Sequence, residues 1–264
     1  MEFETITFET PEEGIGLITL NRPERLNAIN LDMLDDLHVL FDRLGELDDI
    51  RVVIITGKDR GFCSGADLMD KRTSRESVSA MSSTAGHLMK IQKKFSRLIT
   101  EMRQVSQPVI AAVNGAAAGG GMCIALAADI IIAAPEAYFI PSFINIGLSG
   151  GELGTSYFLP RLIGSSRAAE ILLTGRKVNA DEAERIGLIS RIVANDHLLD
   201  SALETARVML GKSKYGLRLT KEVLVQNLNA PSLESAIELE NRNQSICCTT
   251  SDFLAAVEAF NAKG

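Results

Sequence analysis

The sequence predicts an α/β protein that ends in an all-helical region, and three stretches carry that prediction. The first runs from Pro108 to Leu126: an apolar run leads into Asn114-Gly115, then three alanines, three consecutive glycines and a second apolar run. That pattern reads as a strand, a tight turn and a helix start. The second is Arg51 to Thr56, whose unbroken apolar core suits a parallel strand covered on both faces. The third is the segment from His197 onward, where apolar residues keep helical spacing and no strand-like run occurs. A core over residues 1–195 and a helical region over residues 196–264 are therefore expected.

Taken in order, Thr5 to Thr10 and Ile15 to Leu20 read as two strands of an opening hairpin around Pro11-Glu12-Glu13-Gly14. A polar loop with two arginines, Asn21 to Asn30, follows. Asn30 is the expected N-cap of a packing helix, because Met33, Leu34, Leu37, Phe41, Leu44 and Leu47 fall at helical spacing. Asp32, Asp35 and Asp36 favour its first turns. The loop from Gly57 to Leu68 comes directly after a strand, where open α/β architectures place ligand sites. Met69 to Gly86 is polar and Ser-rich and predicts a mobile flap before a helix from about His87 to Met102. A strand from Asp129 to Ala134, a long loop from Tyr138 to Gly154 and a last strand from Leu188 to Val193 complete the core.

The triple glycine leaves backbone N–H groups at a helix N-terminus bare, where a ligand oxygen can approach and the helix dipole favours negative charge. Close packing of a helix on a sheet demands the same small residues for steric reasons alone. Hydrophobic residues make up 46% of the chain and charged residues 23%, which excludes a disordered or fibrous class. A net charge of -7 with no compensating basic run argues against nucleic acid or an anionic membrane as partner. Cys63, Cys123, Cys247 and Cys248 have neither metal-ligand spacing nor the density of a disulfide framework, which fits a cytoplasmic protein without a metal site. Neither an export leader nor a membrane-spanning run is read in the sequence.

Over essentially its whole length the chain resembles the enoyl-CoA hydratase/isomerase (crotonase) superfamily. The matching segments are Leu20-Asn21-Arg22-Pro23 with Leu26-Asn27-Ala28, Phe62 to Leu68, Pro108 to Gly121, Asp129-Ile130, Gly147 with Gly154-Thr155, and Leu173-Thr174-Gly175 through Ala183 to Ile189. The resemblance implies a crotonase fold of repeated ββα units, a C-terminal helical region that packs on neighbouring subunits, and a homotrimer or dimer of trimers. It implies a coenzyme A thioester as substrate, with no separate cofactor. It also implies that the backbone N–H groups of Ala66 and Gly120 polarise the thioester carbonyl and stabilise an enolate. Ala28 and the backbone of Ser64, Gly65, Ala66, Asp67 and Leu68 are then expected around the adenine and pantetheine, with Arg22, Arg25 or Lys71 as candidates for the phosphates.

The sequence departs from the superfamily where hydratases carry two glutamates. The matching positions hold Cys123 and Phe143, and neither side chain can act as a carboxylate base. Cys123 reads as a small buried hydrophobe rather than a reactive thiol. Glu152 stands three residues before Thr155, matching the acidic residue that some double-bond isomerases of the superfamily place before their Gly-Thr. A first-turn glutamate serving the helix dipole is the structural alternative. One base and an oxyanion hole suffice to move a proton between the α- and γ-carbons, which favours isomerisation of an unsaturated acyl-CoA over hydration. Thioester hydrolysis, decarboxylation and a catalytically silent acyl-CoA-binding protein are the rival expectations. Asp67 is expected to position its loop, and of the three histidines His87 alone lies near the flap, with His38 on the packing helix and His197 at the start of the tail.

Overall fold

The computed structural model of the chain describes residues 2–70 and 84–262. β1 (Ile6–Glu12) pairs antiparallel with β2 (Ile15–Leu20), Ile6 standing opposite Leu20. β1 runs two residues beyond the expected strand because Glu12 still pairs with Ile15 across a bulge, so the turn shrinks to Glu13-Gly14. Gly14 supplies the positive φ of 83° that this turn requires. Asn30 caps α1 (Leu31–Leu44) as expected, its side-chain oxygen accepting the Met33 N–H.

From β2 the main sheet grows by parallel pairing through β3 (Val52–Gly57), β5 (Val109–Val113), β7 (Ile130–Ala133) and the two-residue β10 (Arg191–Ile192). The strands skipped by that series, β4 (Gly61–Cys63), β6 (Ala116–Ala118), β8 (Tyr138–Ile140) and β9 (Val178–Asn179), form a second sheet in the same order. After the opening hairpin, both of whose strands lie in the main sheet, three successive turns of the chain each place one strand in each sheet and then a helix. β3 and β4 precede α2 (Thr84–Gln104), β5 and β6 precede α3 (Gly120–Ala127), and β7 and β8 precede α4 (Thr155–Ile163). These are the expected ββα repeats.

The unbroken apolar run of β3 has a direct cause. Val53 and Ile55 enter the large core with α1 to α4, whereas Val52 and Ile54 enter a second core on the opposite face. That second face is covered by Leu198, Ala202, Leu203 and Ala206 of a later helix, α7 (Leu198–Leu210), which follows α5 (Ser165–Thr174) and α6 (Ala180–Arg185). α8 (Lys214–Gln226) is held by the buried Lys221, whose ammonium donates to the Gln107 carbonyl at 2.8 Å and pairs with Asp129 at 2.9 Å. Burial holds that ammonium below the ordinary lysine range, against the pull of Asp129. α9 (Leu233–Cys248) and α10 (Ser251–Asn261) close the chain.

Two expectations are corrected. The stretch from Tyr138 to Gly154 is not one loop: β8 pairs with β6, and a 3-10 turn spans Ile144–Ile146. The last strand does not begin at Leu188, because the N–H groups of Leu188 and Ile189 both bond back to the Ala183 carbonyl and close α6. Pairing with β7 starts at Ser190, which donates to Ile131.

Candidate active site

Two loops meet at the ends of the parallel strands β4 and β6. Their approach is so close that a Cβ on Gly121 would stand 2.0 Å from the Cys63 carbonyl oxygen, and one on Gly65 would stand 2.8 Å from that of Ala118. Gly65 also has φ +93°, a conformation that other residues rarely adopt. Glycine at these two positions is what brings the first loop against the start of α3.

The backbone then turns two donors toward one space. Ala66 forms a parallel bridge with Ile29, in which Ile29 N–H donates to Gly65 at 2.7 Å and Asp67 N–H donates to Ile29 at 2.9 Å. Alternation along the chain therefore directs the Ala66 N–H away from Ile29. Gly120 opens α3, so its N–H has no helical acceptor and lies at the positive end of the helix. Among the described residues no backbone carbonyl accepts from either N–H. A Cβ on Gly120 would lie 3.9 Å from the Ala66 nitrogen, which fixes how near the two loops come. Both residues line a cavity of about 180 Å³ together with Ser64, Gly65, Leu68 and Gly119.

Glu152 lines the same cavity. It is half-buried and sits in the turn that leads to α4, where Leu153 adopts φ 45° and Gly154, with φ 86°, is the N-cap. The fully buried Thr155 fixes the turn: its hydroxyl accepts the Glu152 N–H at 3.0 Å and lies 3.0 Å from the Gly150 carbonyl. The Gln92 side-chain amide of α2 donates to the Glu152 carboxylate. The site thus combines a donor pair suited to a developing oxyanion with one acidic residue in the same cavity.

The two positions where hydratase glutamates were sought are both at the site. Phe143 lines the cavity, its ring 3.6 Å from where a Cβ on Gly119 would be. Cys123 is buried beneath it, its thiol donating to the Gly119 carbonyl at 3.2 Å and lying 3.7 Å from that of Glu152. Burial first, and the Glu152 charge second, push the Cys123 thiol well above its ordinary range, so it is not poised as a thiolate.

Arg22 does not stand ready for phosphate. Its guanidinium pairs with Asp67 at 2.9 Å and donates to the Ala28 carbonyl, tying the Asn21–Asn30 loop to the loop that carries Ala66. Asp67 also accepts the Met69 N–H at 3.0 Å and thereby positions its loop as expected. Arg25 is exposed and Ala28 buried; with Asp67 they lie outside the cavity lining. Lys71, most of the expected flap and the His87 side chain fall outside the described residues. His38 is buried against Glu101, and His197 is exposed beside Asp196, so neither serves the site. Gln92, Phe95, Ser142, Ile146, Leu148 and Leu153 complete the cavity and were not singled out in the sequence. Gln92, Phe95 and Ile99 share one face of α2 by their spacing, but that periodicity does not single out a cavity residue.

A repeated ββα core whose cavity gathers two unengaged backbone N–H groups and one acidic residue is suited to chemistry on a polarised carbonyl. The model of the enoyl-CoA hydratase/isomerase family matches residues 10–264, and the chain belongs to that family. It is 44% identical over 255 residues to a protein of Mycobacterium tuberculosis strain H37Rv named "Probable enoyl-CoA hydratase EchA12", covering 96% of this chain and 89% of that one. A solved structure titled as a probable enoyl-CoA hydratase/isomerase from Mycobacterium abscessus superposes with a TM-score of 0.89 at 40% identity, covering 98% of this chain and 96% of that one. Another, titled as a monofunctional enoyl CoA isomerase from M. smegmatis, gives a TM-score of 0.72 at 43% identity, covering 88% and 98%.

Proposed function

We propose that this enzyme isomerises the double bond of an unsaturated acyl-CoA, with Glu152 as the single acid/base and the Ala66 and Gly120 N–H groups as the oxyanion hole. The observation that carries the reading is that one acidic residue lines the same cavity as the donor pair, while the rest of the lining includes Phe143 and Leu153 and no second carboxylate among the described residues. The Glu152 carboxylate takes a proton from C2 of a 3-enoyl thioester. Electrons move onto the thioester oxygen, where two N–H donors in a water-poor cavity stabilise the dienolate. The same carboxyl group returns the proton to C4, the double bond comes to rest between C2 and C3, and no atom is gained or lost. Hydration needs a second group to hold and activate water, and Phe143 offers none. The name of the M. smegmatis neighbour agrees with this choice.

The thioester supplies the coenzyme A moiety, and the reaction as proposed needs no further cofactor. Ser64, Gly65, Ala66, Leu68 and Gly120 hold the thioester end in this reading, and Arg25, Ala28 and Asp67, outside the cavity lining, are assigned to the rest of the coenzyme A moiety. We further infer a homotrimer or dimer of trimers in the cytoplasm, acting on a small-molecule thioester and not on nucleic acid or membrane. The division into a 1–195 core and a 196–264 region that packs on neighbours belongs to the same proposal. Exposed Phe253, Leu254, Val257 and Phe260 on α10 support the assembly, and four free cysteines support the compartment.

The direct test is turnover of 3-hexenoyl-CoA to the 2-enoyl isomer. Glu152→Gln is expected to lower kcat by roughly 100- to 10,000-fold with CoA affinity nearly intact. Full activity in that variant contradicts the assignment, and a 3-hydroxyacyl product from wild type restores hydration.

A further inference from the structure

The backbone of Glu152 is fixed, but its side chain is long enough to swing. The Glu152 N–H donates to the buried Thr155 hydroxyl at 3.0 Å, and the Glu152 carbonyl accepts the Thr155 N–H at 2.9 Å. Neither contact reaches the carboxylate. Among the described residues one group does: the side-chain amide of Gln92 donates to Oε1, and Oε2 accepts no hydrogen bond. Gln92 and Glu152 both line the cavity that holds Ala66 and Gly120.

The helix that carries Gln92 is itself held in register. Phe95, Leu98 and Met102 of α2 enter the large core with Leu34, Leu37 and Phe41 of α1. Across the same contact the largely buried His38 and Glu101 meet at 2.5 Å. Lys94 and Arg97 pair with Asp35 and Asp42 at 2.7 and 3.2 Å on the exposed side, where such pairs add little. The Gln92 amide therefore reaches Glu152 from a packed scaffold. An amide has no charge of its own, so it holds one oxygen without neutralising the carboxylate as a lysine or arginine would.

We propose that Gln92 is a positioning residue of the reaction: its amide holds Oε1 of Glu152, so that Oε2 alone takes the proton from C2 and delivers it to C4. The C2–H bond breaks toward Oε2, its electron pair enters the dienolate, and the C4–H bond forms from the same oxygen. This rests on the reading of Glu152 as the acid/base of an isomerase. Gln92 touches neither carbon and acts through the carboxylate it orients.

The experiment follows 3-hexenoyl-CoA and saturated hexanoyl-CoA in D₂O by proton NMR with wild type, Gln92→Met and Glu152→Gln. Methionine matches glutamine in length and helix propensity but lacks the donor, and Gln92→Leu serves as a second donor-free variant, with folding checked by circular dichroism. Gln92→Met is expected to lower kcat for double-bond migration by roughly 10- to 100-fold, with KM changed by less than about twofold. A carboxylate free to turn can return its proton to C2 without reaching C4. The ratio of C2 exchange in unreacted substrate to migration is therefore expected to rise in the variant. A purely structural role lowers both processes alike; an unchanged ratio overturns the proposal, as does wild-type kcat without the donor. Hexanoyl-CoA has no double bond to move, so its C2 exchange reads the Glu152–Gln92 pair apart from isomerisation. If no protein moves a double bond, the isomerase assignment fails; exchange that falls in both Gln92→Met and Glu152→Gln then still sustains the positioning role. Exchange that persists in Gln92→Met, or is absent from wild type, overturns it. A 3-hydroxyacyl product that disappears in Gln92→Met makes the amide a holder of water and contradicts the proposal.

Discussion

At the scale of single residues, the site depends on what its glycines and thiols do not do. Gly65 and Gly121 were legible in the sequence as loop and helix-start residues, and the distances a Cβ would meet show why no larger residue serves there. Cys63 and Cys123 are both fully buried, and burial pushes the Cys63 thiol up to about 12 from an ordinary value of 9.0. The folded state therefore holds these protons after the unfolded chain has released them. The resulting stability is complete below about pH 9 and is lost as pH rises toward the folded-state value. We predict that the fall in melting temperature between pH 8 and pH 10.5 is shallower in Cys63→Ala than in wild type. Equal slopes contradict it. Glu152 was legible because it is the lone carboxylate of the stretch from Tyr138 to Gly154. Gln92 was not, since its meeting with Glu152 spans 60 positions of sequence and only the packing of α2 on the α4 turn creates it.

At the scale of elements, the loop that presents Ala66 is held as a clamp rather than as a free segment. The Arg22–Asp67 pair is largely buried, with side-chain exposures of 16% and 8%, and Arg22 spends a further donor on the Ala28 carbonyl. Removing one partner of such a pair leaves the other charge desolvated. Arg22→Met is predicted to destabilise the fold by about 2–3 kcal/mol in urea titration, and Arg22→Lys to recover less than half, since one ammonium cannot replace a two-pronged guanidinium. Full recovery by lysine would show that charge alone matters there. The strands of the repeat were readable because both faces of β3 are buried and its sequence had to be apolar throughout. The short strands β8 and β9 were not readable, because two or three residues carry no period of their own and pair only where the sheet already exists, and β10 was read but begun too early.

At the scale of the whole molecule, the helical end of the chain divides into two roles. α7 and α8 are bound to the core through Leu198, Ala202 and the buried Lys221, whereas α9 and α10 leave Leu233, Leu254 and Phe260 exposed. An apolar face of this kind on a globular protein marks an interaction surface. Sedimentation equilibrium is predicted to give three or six times the 28.5 kDa chain mass, and Phe253→Glu with Phe260→Glu to lower it. A monomeric wild type would refute that assembly. Periodicity alone predicted the helices of this region, but it did not separate those that face the sheet from those that do not.

The measurement that bears most directly on the account is proton NMR of 3-hexenoyl-CoA turned over in D₂O by wild type and Glu152→Gln. The account predicts migration of the double bond with deuterium entering the α- and γ-positions, and loss of both in the variant. Migration that persists without Glu152, or conversion of the substrate to a 3-hydroxyacyl thioester, would contradict it.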